Sequence, residues 1–175
     1  MATYWSRLCP VETATLAQWL LSTAATWSTP ASAAKPSRIF EPQLPLALLR
    51  PILDTVLPCF GRPVLAYDLM LSRMQPGQSH AMHHDLQPSD WITRVHVPIV
   101  TNPGAWLAFE GEAETVYSDA YFEGGEEYPG EDIQVPKKVH FAVGWAYSFN
   151  TLERHSFGND GTADRVHVLL DVRAK

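Results

Sequence analysis

The residues best suited to chemistry stand together in His83-His84-Asp85, between Gln75-Pro76-Gly77-Gln78 and Pro88. On an extended segment, alternate side chains point the same way, so His83 and Asp85 present an imidazole and a carboxylate to one point in space. Such a pair can hold a metal ion facially, and a second histidine from elsewhere would complete a two-histidine, one-carboxylate set that leaves positions open. His155 is suitably placed, a short turn after the strand-like Tyr147-Ser148-Phe149-Asn150. Ten residues further on stands Arg165, whose planar guanidinium suits bidentate hydrogen bonding to a carboxylate. Taken alone, a His-x-Asp triplet also describes a polar loop, and the neighbouring His84 leaves the histidine assignment open by one residue.

Strands must aim these side chains. After Pro63 the chain breaks into short apolar segments separated by Gly, Pro, Asn and Asp, which reads as an all-β sandwich or barrel. Strands are expected at Val64 to Met74, Trp91 to Val100, Trp106 to Glu110, Glu114 to Tyr117, Val139 to Phe141, Ala146 to Asn150 and Asp164 to Val172. Alternation puts Val95, Val97 and Ile99 on one face and Arg94 and His96 on the other. It likewise sets Arg165, His167 and Leu169 against Val166, Val168 and Leu170. A solvent face has no need of His, and a core face cannot bury Arg without a partner, so the pattern suggests a polar barrel interior that holds an anion.

Before Pro63, the helical spacing of Leu16, Trp19, Leu20 and Thr23 predicts an amphipathic helix within Val11 to Trp27. Pro30, Pro36, Pro42, Pro45, Pro51, Pro58 and Pro63 then predict loops, with one or two short helices around Leu46 to Leu57. Between Ser118 and Asp132 lies an acidic, Gly-containing loop. It is a solvated surface or a lid over the barrel mouth, and as a lid it would favour a cationic substrate, with Glu126 and Glu127 lowering the Michaelis constant.

The 175 residues, 46% hydrophobic and 18% charged, suit one globular domain with one active site. A net charge of −6 repels nucleic acid. Two cysteines, Cys9 and Cys59, are too few for a disulfide framework or a thiolate zinc site, and free thiols in a reducing compartment are expected. Leu16 to Ala25 followed by Ala31-Ser32-Ala33 imitates a signal peptide, but Glu12 and Gln18 interrupt it and Arg7 is its sole leading charge. No run approaches the ~20 apolar residues of a spanning helix, so a cytoplasmic protein without a membrane partner is expected. Ser148 or Ser156 with His155 could suggest a hydrolase, yet no Gly-x-Ser-x-Gly elbow is present. His80 and His140 read as structural, and the tryptophans as packing, with Trp91, Trp106 and Trp145 able to wall a substrate site.

The ordered set Ser72-Arg73-Met74-Gln75-Pro76-Gly77, His83-His84-Asp85, Arg94-Val95-His96-Val97-Pro98-Ile99, Thr101-Asn102-Pro103, Phe149-Asn150, His155, Asn159, Arg165-Val166-His167-Val168 and Asp171 resembles the aspartyl/asparaginyl β-hydroxylase family. It is most similar to small bacterial members that include proline hydroxylases. The resemblance spans Val64 to Val172. It implies a mainly β fold, a double-stranded β-helix (a jelly-roll, cupin-like barrel) over residues 63–175; the helical, Pro-rich residues 1–62 lie outside the resemblance and are expected to pack on it as N-terminal support in a single domain. It also implies an Fe(II)- and 2-oxoglutarate-dependent dioxygenase that consumes dioxygen. His83, Asp85 and His155 would be the catalytic metal ligands, and Arg165 would clamp the distal carboxylate of 2-oxoglutarate. Ser72, Met74, Arg94 and His96 would line the cosubstrate pocket. Animal members lack the carboxylate ligand, whereas Asp85 is present here. The implied substrate is a free amino acid or a small derivative, with peptidyl Asp or Asn as the alternative. A cupin-like module that binds metal and a small acid without oxidation is the rival from another class.

Overall fold

The computed structural model describes residues 5–22, 37–40, 46–85, 91–117, 121–123, 126–128 and 132–175. In chain order the elements begin with β1 (Trp5–Pro10), α1 (Ala14–Ser22), β2 (Ser37–Phe40), α2 (Leu46–Val56) and a 3-10 turn at Leu57–Phe60. There follow β3 (Val64–Met74), β4 (Ser79–His83), β5 (Trp91–Val100), β6 (Ala105–Phe109), β7 (Ala113–Tyr117), β8 (Tyr121–Glu123) and β9 (Glu126–Tyr128). The chain closes with β10 (Asp132–Pro136), β11 (Trp145–Phe149), β12 (His155–Asn159) and β13 (Arg165–Ala174).

Two antiparallel sheets make the barrel: a large one in the order β1-β11-β5-β13-β3-β2 and a small one in the order β4-β12-β6. This is the double-stranded β-helix. The outer face of the large sheet carries Val95, Val97, Ile99, Val166, Val168, Leu170 and Val172, buried against Leu16 of α1 and Leu49, Ile52 and Val56 of α2. At about 1.5–3 kcal/mol for each fully buried aliphatic side chain, this layer is the main source of cohesion. A second cluster fills the space between the sheets, where Met74, Tyr147 and Phe149 meet Leu107, Phe109 and Phe157. The pleat that turns the valines of β5 and β13 outward turns Arg94, His96, Arg165, His167 and Asp171 inward.

Turn chemistry sets the site's approach. Pro76 and Gly77 occupy the centre of a turn in which the Gln78 N–H donates to the Gln75 carbonyl at 3.1 Å. Gly77 has φ +77°, the left-handed conformation that a type II turn requires at that place. The buried Asn159 amide then donates to the Met74 and Ala163 carbonyls, tying this turn to the one before β13. Pro98, in a central strand, is tolerated because the β5–β13 register shifts between Val166 and His167.

Several elements differ from expectation. β3 and β5 have the expected bounds, but the N-terminal residues supply strands as well as helices: β1 pairs with β11 and β2 with β3, each at an edge of the large sheet. Helix α1 occupies the middle of the expected segment, whose residues 23–27, with Pro30, Pro36, Pro42 and Pro45, lie outside the described residues. Val139 to Phe141 makes only one bridge, from Val139 to Leu107, since no further residue runs alongside β6 there. Among the described residues no helix is long and apolar enough to cross a membrane.

Candidate metal centre and anion cavity

β4 and β12 are neighbours in the small sheet, and His83 and His155 are direct partners across them. Their rings lie 4.4 Å apart. Asp85 leaves β4 two residues later, where its N–H donates to the Thr151 carbonyl at 3.0 Å and so fastens it to the turn before His155. One ligand atom from each of His83, Asp85 and His155 lies within 4.8 Å of the others. His84 is exposed and outside this group.

Backbone carbonyls fix both imidazoles. His83 Nδ1 is 2.7 Å from the Ala81 oxygen and His155 Nδ1 is 2.9 Å from the Glu153 oxygen. A carbonyl accepts only, so each Nδ1 carries the proton and each Nε2 keeps its lone pair for a metal. Burial lowers the His155 pKa below its ordinary value, and the nearby charge of His83, when protonated, pushes the same way, which favours the neutral form a metal needs. The side chains of His83 and Asp85 are 27% and 18% exposed against 2% for His155 as a residue, so the group opens to solvent on the β4 side. Two imidazole nitrogens and one carboxylate oxygen with open positions suit a ferrous ion.

Deeper in the barrel is a narrow cavity lined by His96, Thr101, Leu107, Phe141, Arg165 and His167 among others. Arg165 is 4% exposed, and among the described residues no carboxylate pairs with it. Its Nη2 donates to His167 Nδ1 at 2.8 Å and to His96 Nδ1 at 3.4 Å. Since His167 Nδ1 accepts from Arg165, its ring carries the proton on Nε2, a buried donor with no acceptor; His96 Nδ1 lies 3.4 Å from both Arg165 Nη2 and His167 Nδ1. The Thr101 hydroxyl is equally unsatisfied. Burial lowers the Arg165 pKa to about 9, and burial with the Arg165 charge holds His96 and His167 well below the usual histidine range. A desolvated cation and two orphaned donors converging on one cavity are arranged for an anion. Phe157 lies under Arg165 and edge-on to His83, and Phe149 touches both His96 and His155, so the cavity adjoins the metal centre.

The other expected site residues share this inner face. Ser72 and Met74 are buried beside His167 and Arg165, their register partners across β3 and β13. Arg94 is placed differently from the resemblance: it is not among the residues lining the Arg165 cavity, and its guanidinium is bonded to Asp85 and Asp171. Strand alternation already puts His167 beside Arg165, whereas Thr101 and Asp171 have no role in the sequence reading; Asp171 shares the face of Arg165 and His167, and the same alternation is the signal that points to it. The hydrolase reading fails, because the Ser148 hydroxyl is 3.1 Å from that of Thr93 and Ser156 alternates with His155 on the opposite face of β12. The expected acidic loop is in part strand: β8 and β9 pair as an antiparallel hairpin and Asp132 opens β10, while residues 118–120, 124–125 and 129–131 lie outside the described residues.

No protein-family profile matches the chain, and no curated protein matches it by sequence. Solved structures match it by shape. The non-heme alpha ketoglutarate dependent epimerase SnoN from nogalamycin biosynthesis superposes with a TM-score of 0.62 at 16% identity, over 98% of this chain and 78% of its own. A Pseudomonas putida prolyl-4-hydroxylase gives 0.53 at 14% identity, over 98% and 93%. An oxidoreductase of the 2OG-Fe(II) oxygenase family from Burkholderia pseudomallei gives 0.52 at 14% identity, over 84% and 65%. The chain has the fold of the 2OG-Fe(II) oxygenases. At these identities it is the double-stranded β-helix that is shared, and the site must be argued from its own residues.

Proposed function

We propose that this protein is an Fe(II)- and 2-oxoglutarate-dependent dioxygenase. One observation carries the reading: a His-Asp-His group with both Nε2 atoms free adjoins a buried Arg165 that has no carboxylate partner among the described residues. The fold supports it, as does the resemblance of the ordered motifs to the aspartyl/asparaginyl β-hydroxylase family.

In this reading His83, Asp85 and His155 hold iron. Arg165 binds the distal carboxylate of 2-oxoglutarate, with the His167 Nε2–H and the Thr101 hydroxyl as further donors to the same anion. His96 shares the Arg165 hydrogen bonds, and Ser72 and Met74 close the cavity behind it. Phe149 and Phe157 exclude water between cavity and metal, which strengthens each polar contact there. When bound, iron and 2-oxoglutarate supply the oxidative chemistry, in which dioxygen is consumed, succinate and carbon dioxide leave, and an aliphatic C–H bond is oxidised.

The proposed outcome is hydroxylation of a free amino acid or small amino-acid derivative. Similar folds include an epimerase and a carbocyclase from nogalamycin biosynthesis, so product analysis belongs in the test. Substrate-dependent succinate release should appear in a screen of amino acids and derivatives with Fe(II) and 2-oxoglutarate, and Arg165→Ala should raise the 2-oxoglutarate requirement while leaving metal affinity nearly intact. Binding of both metal and 2-oxoglutarate with no succinate from any amino acid, derivative or Asp/Asn peptide would point instead to a non-oxidative binding module.

A further inference from the structure

Arg94 stands beside the triad and is held by two carboxylates. Its Nη1 donates to Asp85 Oδ2 at 2.6 Å, while Nε and Nη2 fork onto the two oxygens of Asp171 at 2.6 and 2.9 Å. The other oxygen of Asp85, Oδ1, is the one near the imidazoles, 3.7 Å from His83 Nε2. The two oxygens of one carboxylate are thus differently engaged. We propose that Arg94 is a positioning residue that keeps Asp85 a one-oxygen metal ligand, and that Asp171 is the buttress that fixes the guanidinium. This rests on reading the triad as a metal site.

The placement of the three side chains supports the role. Arg94 and Asp171 are register partners on β5 and β13, at the middle of the large sheet, and Asp171 is buried. Asp85 lies beyond the end of β4, outside any strand. Orientation therefore passes from the rigid element to the ligand on the irregular one. The guanidinium of Arg94 is a fixed cation at neutral pH and bonds both carboxylates at once. One guanidinium shared by two carboxylates leaves negative charge for a divalent ion.

The test uses metal binding without turnover. Mn(II) titration of the apo-protein should show Arg94→Gln binding about 10–100-fold more weakly than wild type, with Asp171→Asn weaker to a lesser degree. Arg94→Lys should recover only part of the loss, because an ammonium cannot fork. The visible spectrum of the Co(II) protein, which follows coordination number, should change in Arg94→Gln and return toward wild type in Arg94→Lys; a merely structural role would leave it unmoved. Should Arg94→Gln not fold, Asp171→Asn carries the same test. Wild-type Mn(II) affinity and Co(II) spectrum in a folded Arg94→Gln or Asp171→Asn protein would overturn the positioning role alone. A wild-type protein that binds no divalent ion would overturn the metal reading and this role with it.

A separate observation concerns the two cysteines, fifty positions apart in sequence. Both thiols reach the Thr55 carbonyl oxygen, with Cys9 Sγ at 4.0 Å and Cys59 Sγ at 3.1 Å. Cys9 is buried on β1 and Cys59 exposed in the turn after α2. We infer that the pair is a modification site at which peroxide closes a Cys9–Cys59 disulfide. Peroxide oxidises the exposed Cys59 thiol to a sulfenic acid and leaves one water; the Cys9 thiol then displaces a second water as the S–S bond forms. Two thiols lose two hydrogens and one peroxide becomes two waters. Cys59 is exposed and Cys9 is buried, so peroxide meets Cys59 first.

After stoichiometric hydrogen peroxide the intact mass should fall by about 2 Da, with both thiols lost and restored by dithiothreitol. The Tm should rise by at least about 4 °C. Cys59→Ser should abolish the mass change. Cys59 oxidised alone beyond the sulfenic acid, or two thiols left free, would overturn the inference.

Discussion

The two faces of β13 are equally buried and chemically opposite. Outward, Val166, Val168, Leu170 and Val172 meet the helices in an apolar layer with nothing to satisfy. Inward, Arg165, His167 and Asp171 are each under 5% exposed, and among the described residues Arg165 has no carboxylate counter-charge and His167 Nε2 no acceptor. An apolar inner face would be more stable, because a desolvated, unpaired cation costs free energy. The contrast sets a cohesive surface against one that offers a buried cation and an unsatisfied donor, on a single strand.

Changes on each face should therefore fail in different ways. The largest effect is expected from His155→Ala, which should abolish metal binding and metal-dependent turnover while urea unfolding shows a folded protein. On the outer face, Leu170→Ala should cost about 3 kcal/mol in urea unfolding yet leave metal and 2-oxoglutarate dissociation constants unchanged. Arg165→Met should do the reverse: calorimetry should show 2-oxoglutarate affinity down about a hundredfold, with stability equal to or above wild type. If Arg165→Met instead loses stability as Leu170→Ala does, the inner face is cohesive after all.

The smallest effect is a pH dependence. His96 and His167 have folded pKa values pushed well below 6.5 by burial, so acid adds protons to the unfolded chain first and stability falls as pH falls through about 6.5. For two such groups the loss is about 1.4 kcal/mol between pH 7 and pH 6, read as a fall in the urea midpoint of the apo-protein. The His167→Asn protein should show about half that slope.

The two faces were legible because β-branched runs alternate cleanly with Arg and His, as in Thr93 to Ile99 and Arg165 to Leu170. The same alternation brought His96, Arg165 and His167 together before any contact was known. Strands without that signal escaped. β12 reads His-Ser-Phe-Gly-Asn, with no β-branched residue, and β1 ends in Pro10. The partners of Arg94 escaped for a different reason: Asp171 is 77 residues away, and only sheet register brings it opposite. The resemblance placed Arg94 in the cosubstrate pocket by position, although Asp85, which animal members of that family lack, is one of the two carboxylates that hold it.

The most direct test is anaerobic titration of the apo-protein with Fe(II) and then 2-oxoglutarate, following visible absorption, with His83→Ala and Arg165→Met alongside. A metal-to-ligand charge-transfer band that needs both additions is expected in the wild type. It should be absent in His83→Ala and require far more 2-oxoglutarate in Arg165→Met. Iron bound without any such band, or a band that forms with equal ease in Arg165→Met, would contradict the assignment of the inner face as a metal and 2-oxoglutarate site.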